Sequence, residues 1–141
     1  MIAFHVPGQP VGKGRPRFAR RGKFIATYTP EKTAGYEQLV RLAAHQAMQG
    51  RPPVEGPVSV EVSLSVVPPA SWSKRRQAAA LAGETLPTTK PDLDNLIKAI
   101  LDGMAGVVMA DDKQVSDLVA RKRYALAAGA DVSVTTKEQT T

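Results

Sequence analysis

A strict alternation of apolar and polar residues over residues 58–66 is the feature that most constrains the fold of this chain. Every even position there is valine or leucine, and every odd position is serine or glutamate. Because successive side chains of a strand point to opposite faces of a sheet, this pattern predicts a β-strand with one buried face. Pro68 and Pro69 end the strand.

A second pattern has the period of a helix. Apolar residues recur three and four positions apart at Leu93, Leu96, Ile97, Ile100, Leu101 and Met104. This spacing predicts an amphipathic helix. A longer helix is predicted from Thr29, as N-cap, and Pro30, as first helical residue, to Gly50. A short helix is predicted within residues 72–83.

The remaining segments complete one domain. Strands are predicted at residues 1–7, 114–124 and 130–136, with an extended piece at 23–28. No linker long enough to separate two domains interrupts the 141 residues, so we expect a single domain over residues 1–141.

Composition excludes several classes of site. Without cysteine, the chain has no disulfide, thiolate metal site or cysteine nucleophile. With His5 and His45 as its only histidines, we do not expect a histidine-based metal centre or a Ser-His-Asp triad. Any metal would therefore be held by carboxylates, which favours Mg²⁺ or Mn²⁺. The absence of a long apolar run and of a leader leads us to expect a cytoplasmic protein without membrane contact.

The net charge of +6 lies on one arm. Residues 1–30 contain six basic side chains and no acidic one, whereas residues 31–141 contain thirteen of each sign. The arm coincides with a predicted loop at residues 8–24, and its basic residues are Lys13, Arg15, Arg17, Arg20, Arg21 and Lys23. Arginine and close backbone approach at glycine suit a phosphate backbone. The alternative is a solvated loop that keeps the protein in solution.

Acidic residues gather in the stretch KPDLDNLIKAILD at residues 90–102. A helix beginning near Asp94 would place Asp94, Lys98 and Asp102 on one face, with Asp92 over its N-terminus. Asp111 and Asp112, from the following turn, could approach the same point. Helix caps and a turn explain each aspartate separately. As a group, converging carboxylates repel one another unless a cation holds them, which favours a magnesium site.

The stretch KPDLDNLIKAILDGMAGVVMADDKQV, residues 90–115, resembles the RusA family of Holliday junction resolvases. Its Lys-Pro-Asp-x-Asp-Asn-Leu-x-Lys run and the Asp-Asp-x-Gln-Val run at 111–115 carry the likeness. The opening VPGQPVGKGRPRF and the segment TYTPEKTAGYE resemble phage-type members.

The resemblance implies a RusA-like α+β fold, in which a small mixed sheet packs with two or three helices. It implies a homodimer that resolves four-way or otherwise branched DNA by symmetric, Mg²⁺-dependent nicks in recombination and repair, with Mn²⁺ able to substitute. The catalytic residues would be Asp92, Asp94, Asp112 and Lys98, and the metal ligands Asp92, Asp94, Asp112 and Asp111. We expect Lys74, Arg75 and Arg76 to contact DNA together with the basic arm.

The chain departs from the family pattern at Gly103 and Ala105, where many relatives have alanine and asparagine. Because glycine inside a helix costs roughly 1 kcal/mol, we expect Gly103 to lower local stability. Leu118 and Tyr124, or the alanine face at 78–82, are candidates for the dimer interface. Two alternative functions stay open: a catalytically silent module that binds branched DNA, and a metal-dependent nuclease of broader specificity.

Overall fold

Strand β4 (Val58–Val66) has the predicted bounds and lies inside a four-stranded sheet. The computed structural model describes residues 1–13, 17–21, 24–28 and 31–137. The other strands are β1 (Ile2–Pro7), β2 (Arg17–Arg21), β3 (Phe24–Tyr28), β5 (Val115–Tyr124) and β6 (Gly129–Thr136). The helices are α1 (Glu31–Met48), α2 (Lys74–Leu81) and α3 (Leu93–Met104).

The sheet is mixed, with strand order β1-β6-β4-β5. Strand β6 runs antiparallel to both β1 and β4, and β5 runs parallel to β4. The parallel pair requires a crossover, and α2 and α3 lie within it. This architecture confirms the predicted α+β class: a small mixed sheet with three helices.

The core lies between one face of this sheet and the helices α1 and α3. The even-numbered residues of β4 from Val58 to Leu64 are buried, as the alternation predicted. They pack with side chains of both helices, among them Val40, Leu96 and Ile100. The amphipathic stripe predicted for α3 therefore marks the side of that helix that faces the core.

The hairpin of β2 and β3 corrects one prediction. Residues 8–24 were expected to form a loop, yet Arg17–Arg21 is a strand in antiparallel register with Phe24–Tyr28. Cross-strand pairing makes these residues extended, and no local apolar alternation signals it. The predicted cap at Thr29 and Pro30 lies outside the described residues. Within the described part of the chain, no helix has the length and apolarity needed to cross a membrane.

Candidate active site

Asp92 occupies the N-cap position of α3, in extended backbone geometry at φ −67° and ψ 145°. Its main-chain oxygen accepts from the N–H of Leu96 at 3.1 Å, but its carboxylate makes no capping hydrogen bond. Asp92 is thus the N-cap residue of α3 by position, but its side chain does not act as a cap. Asp94 lies in the first turn and is exposed like Asp92. Neither carboxylate has an ion-pair or hydrogen-bond partner among the described residues.

Lys98 lies one turn further along α3 and contacts two carboxylates. Its Nζ donates to Oδ1 of Asp102 at 3.0 Å and lies 3.5 Å from Oδ2 of Asp112. The shared helix face and the approach of the following turn are therefore confirmed for these three residues. The hydrogen bond to Asp102 outweighs burial and raises the pKa of Lys98, so its side chain is an ammonium at neutral pH.

Asp102 holds a second lysine, from the base of the basic arm. Lys13 Nζ lies 3.0 Å from Oδ2 of Asp102 and donates to Oε1 of Glu37 at 2.6 Å. The hydrogen bond that Lys13 donates to Glu37 is the largest cause that raises the pKa of Lys13. The sequence carries no local signal of this network, since Glu37 is on α1 and no short spacing connects it with Lys13 or Asp102.

Asp111 and Asp112 have different environments. Asp111 caps a 3₁₀ turn at Asp112–Gln114: its carboxylate accepts from the N–H of Lys113 at 2.9 Å, and Gln114 completes a capping box. The backbone hydrogen bond from Lys113 lowers the pKa of Asp111. The Gln114 amide also donates to the main-chain oxygens of Val54 and Gly56. The turn is thereby anchored with the Asp112 carboxylate on the side of Lys98.

An open cleft of about 590 Å³ connects Asp92 with the base of the basic arm. Gly12, Lys13, Lys90, Pro91, Asp92 and Asn95 line it. The N–H of Lys13 donates to the main-chain oxygen of Asn95 at 2.9 Å, and Thr33 Oγ1 donates to that of Gly12 at 3.2 Å. A Cβ on Gly12 would lie 3.2 Å from Pro91 Cβ, so the arm begins in close contact with the start of α3.

The acidic residues do not form a tight cage. Among the described residues, no group of three histidine, aspartate or glutamate side chains is arranged to hold one ion. Mg²⁺ commonly takes one or two carboxylates and completes its octahedron with water and substrate phosphate oxygens. Two exposed carboxylates without partners, Asp92 and Asp94, are hard oxygen donors that fit this type of site.

The second basic region lies on α2. Lys74, Arg75 and Arg76 are exposed in its first turn, and Ser73 caps the helix by accepting from the N–H of Arg76 at 3.2 Å. The Arg76 guanidinium stacks 3.7 Å from the centroid of Trp72, which meets Tyr124 edge-on at 5.4 Å. In the basic arm, Arg15 and Lys23 lie outside the described residues, and Arg17, Arg20 and Arg21 are described only by their strand backbone.

An apolar groove of about 530 Å³ lies beside the acidic residues. It is lined by Leu93, Asp94, Ile97, Lys98, Leu101, Leu118 and Ala120. Leu118 is on β5, which is an edge strand of the sheet, and 45% of its surface is exposed. Of the two residues predicted for an interface, Leu118 faces an open groove, whereas Tyr124 packs against Trp72.

Comparisons with known proteins cover nearly the whole chain. The sequence profile of a family described as Endodeoxyribonuclease RusA matches residues 7–135. A Bacillus subtilis (strain 168) protein described as "Uncharacterized protein YqaN" is 39% identical over 127 residues, which is 87% of this chain and 87% of that protein. The matched range contains all the acidic and basic residues of the site described above.

Proposed function

Because the chain belongs to the RusA endodeoxyribonuclease family, we propose that it resolves four-way DNA junctions by paired, symmetric, Mg²⁺-dependent nicks. The observation that carries this proposal is the pair of exposed carboxylates at the N-terminus of α3, Asp92 and Asp94, which have no partner among the described residues. Asp92 is the N-cap of the helix that contains Asp94 and Lys98, and Lys98 contacts Asp112. We place the reaction in the cytoplasm, on bacterial or phage DNA.

Asp92 and Asp94 would hold the metal ion, and Asp112, which forms no three-residue metal-holding group with them among the described residues, is the further acidic residue of the proposed site. A bound Mg²⁺ supplies polarisation of the phosphodiester and an activated water, and Mn²⁺ can substitute. Asp112 is a better candidate than Asp111, because the Asp111 carboxylate is already used as the cap of the 3₁₀ turn. The base of the basic arm lies along the same cleft as Asp92, which supports phosphate binding there.

Lys98 would stabilise negative charge in the reaction rather than bind the metal ion. Its ammonium is held between Asp102 and Asp112, and its raised pKa keeps it charged through neutral pH. A fixed positive charge next to the acidic residues can stabilise the negative charge that develops on the phosphate or the leaving oxygen. Asp102, which holds both Lys98 and Lys13, orients these two cations.

DNA binding would use both basic regions. The arm from Lys13 to Lys23 starts at the cleft, and the first turn of α2 adds Lys74, Arg75 and Arg76. Three basic residues in a first turn are unfavourable next to the positive end of a helix dipole. A polyanion that binds them would offset this cost.

A homodimer would place two active sites on one junction. Resolution needs two nicks related by the two-fold axis of the junction, and a C2 dimer supplies that symmetry. The groove between α3 and the edge strand β5 supports an interface that includes Leu118. The alanine face at 78–82 is the alternative, although Ala80 is buried within its own subunit.

The test is cleavage of a labelled synthetic four-way junction and of a linear duplex with the same sequence, with Mg²⁺ or with chelator. Paired symmetric nicks in the junction alone, and only with Mg²⁺, are the expected result. Tight binding to the junction without nicks under Mg²⁺ or Mn²⁺ would instead establish a silent binding module. Nicking of flaps or forks as fast as four-way junctions would establish a broader nuclease.

A further inference from the structure

Residues 86–91 lead from the region of α2 to the N-terminus of α3 and end directly before Asp92. The segment includes Pro87 and Pro91 and forms neither helix nor strand. Within the part of the chain that the structure describes, no backbone–backbone hydrogen bond holds these six residues. Their position therefore depends on packing and on side chains that reach them from other elements.

Lys122 on β5 is the residue that reaches this segment. Its Nζ donates to the main-chain oxygens of Thr89 and Pro91, each at 2.9 Å. These are the two hydrogen bonds that the described residues provide to the segment. In the sheet, Lys122 is in register with Leu64 of β4, a fully buried core residue. The ammonium thus ties this segment to a strand that pairs with the buried centre of the sheet.

The contact at Pro91 acts directly on the peptide unit of Asp92. The carbonyl of Pro91 and the nitrogen of Asp92 belong to one planar group, so a fixed carbonyl oxygen fixes the orientation of that plane. The Asp92 carboxylate makes no capping hydrogen bond that would orient it by itself. The direction in which Asp92 presents its carboxylate therefore depends on the backbone that Lys122 holds.

We propose that Lys122 is a positioning residue, which holds the peptide unit before Asp92 so that the Asp92 carboxylate is presented to a divalent cation. This inference rests on the proposed function. An ammonium suits the task, because it has three donors and no acceptor and can serve two carbonyls at once. Partners that orient metal ligands in this way change metal affinity or activity by about 10- to 100-fold when they are removed.

The experiment measures Mn²⁺ binding by titration calorimetry without DNA, and junction cleavage as a function of Mg²⁺ concentration. Lys122→Met should weaken Mn²⁺ binding and raise the half-saturating Mg²⁺ concentration by about 10- to 100-fold. Lys122→Arg should recover most of both, because a guanidinium can also donate to two carbonyls. The matched control is Arg123→Met, because among the described residues the exposed Arg123 donates only to the main-chain oxygen of Lys122. This variant should leave both values unchanged.

Three further measurements separate positioning from general damage. Metal-free junction binding and the melting temperature of Lys122→Met should stay close to those of the parent protein. In an Asp92→Asn background, the Lys122→Met change should add no further loss of Mn²⁺ affinity. If Lys122→Met fails to fold, Lys122→Gln, which is shorter and replaces the charged ammonium by a neutral amide with two donors, takes its place in the same comparison.

The outcomes are distinguishable from a failure of the proposed function. If the unaltered protein neither binds Mn²⁺ nor cleaves junctions, the proposed function is wrong, and this inference is wrong with it. A protein that cleaves with Mg²⁺, but whose Lys122→Met variant keeps its Mn²⁺ affinity within twofold, would overturn the inference alone.

Discussion

Gly103 of α3 packs against Val40 of α1 at a distance that leaves no room for a side chain. A Cβ atom on Gly103 would lie 2.7 Å from both Cβ and Cγ1 of Val40. It would also lie 3.0 Å from the main-chain oxygen of Glu37. The expectation that Gly103 is a weak point of the helix needs correction, because its missing side chain permits the close approach of α1 and α3.

Replacement of Gly103 by alanine should therefore destabilise the protein, although alanine is the better helix former. Overpacking costs about 1–3 kcal/mol, and the gain in helix propensity offsets up to about 1 kcal/mol of it. We expect a net loss of up to about 2 kcal/mol in the free energy of unfolding, measured by urea denaturation. The matched control is Gly35→Ala in α1, where a Cβ meets nothing within 4 Å and should stabilise by up to about 1 kcal/mol. Equal stabilisation by both changes would contradict the packing argument.

Asp92→Asn should abolish metal-dependent cleavage while junction binding in chelator persists. Asparagine keeps the size of the side chain but removes the negative charge that a divalent cation needs, so we expect a loss of cleavage of about a hundredfold or more. The control is Asp131→Asn, an exposed aspartate paired with His5 at 2.8 Å. Cleavage by Asp92→Asn at the unaltered rate would mean that Asp92 is not a ligand.

The role of Asp102 should be visible in the pH dependence of stability. Burial opposes ionisation of Asp102, but hydrogen bonds from Lys98 and Lys13 outweigh it and hold the pKa of this carboxyl below its usual value of 3.8. The unfolded state therefore binds the proton more tightly than the folded state. The stabilisation is fully present above the unfolded-state pKa and is lost as pH falls through the folded-state pKa.

Asp102→Asn should thus destabilise by about 1–3 kcal/mol at pH 7, the range for a lost hydrogen bond to a charged group. The difference from the unaltered protein should shrink as the pH falls below 3.8. Urea denaturation at a series of pH values measures this difference in the free energy of unfolding. Glu55→Gln serves as the control, because Glu55 is exposed outside any helix and has no hydrogen-bond or ion-pair partner among the described side chains. This variant should show no such trend. A constant difference across this pH range would speak against ion pairing of Asp102.

The contacts of the site that lie close together in the sequence could be predicted from residue spacing. The contacts that join distant elements could not. The i,i+4 relation of Lys98 and Asp102 follows from helix geometry, and the turn that brings Asp112 to Lys98 follows the helix directly in sequence. The contact of Lys13 with Glu37 joins the arm to a helix, and that of Lys122 with Pro91 joins a strand to a loop. Such contacts arise only once the sheet and helices have packed.

The fold shows the same division. The alternation in β4 and the stripe of α3 identified the two faces of the core, because each element buries one side. The placement of β6 between β1 and β4 is a long-range pairing that depends on all three strands together. The strand Arg17–Arg21 lacks an apolar alternation altogether, and its partner Phe24–Tyr28 is what makes it extended.

Removal of either basic region should change the salt dependence of DNA binding in the same direction. Lys74→Ala with Arg75→Ala should flatten the salt dependence of junction binding by roughly one unit per lost phosphate contact. Arg15→Ala with Arg17→Ala should do the same for the arm. The control is Lys137→Ala, since Lys137 forms an ion pair with Asp117. An unchanged salt slope for either pair would mean that the region is a solvated surface that does not contact DNA phosphates.

The interface prediction concerns Leu118 on the edge strand β5. A glutamate there would put a charge into the apolar groove between α3 and β5, and burial of an unpaired charge in a dimer interface is strongly unfavourable. We expect Leu118→Glu to shift the protein to monomers in sedimentation experiments. Leu126→Glu is the control, because Leu126 is 85% exposed beyond the end of the strand.

Cleavage gives the functional counterpart of this prediction. A monomer carries one active site, so Leu118→Glu should convert paired nicks into single nicks on a cruciform plasmid, which then becomes an open circle instead of a linear product. Folding of the variant can be checked by circular dichroism. If Leu118→Glu stays dimeric and still makes paired nicks, the two subunits do not meet at β5. The alanine face at 78–82 would then be the next surface to change.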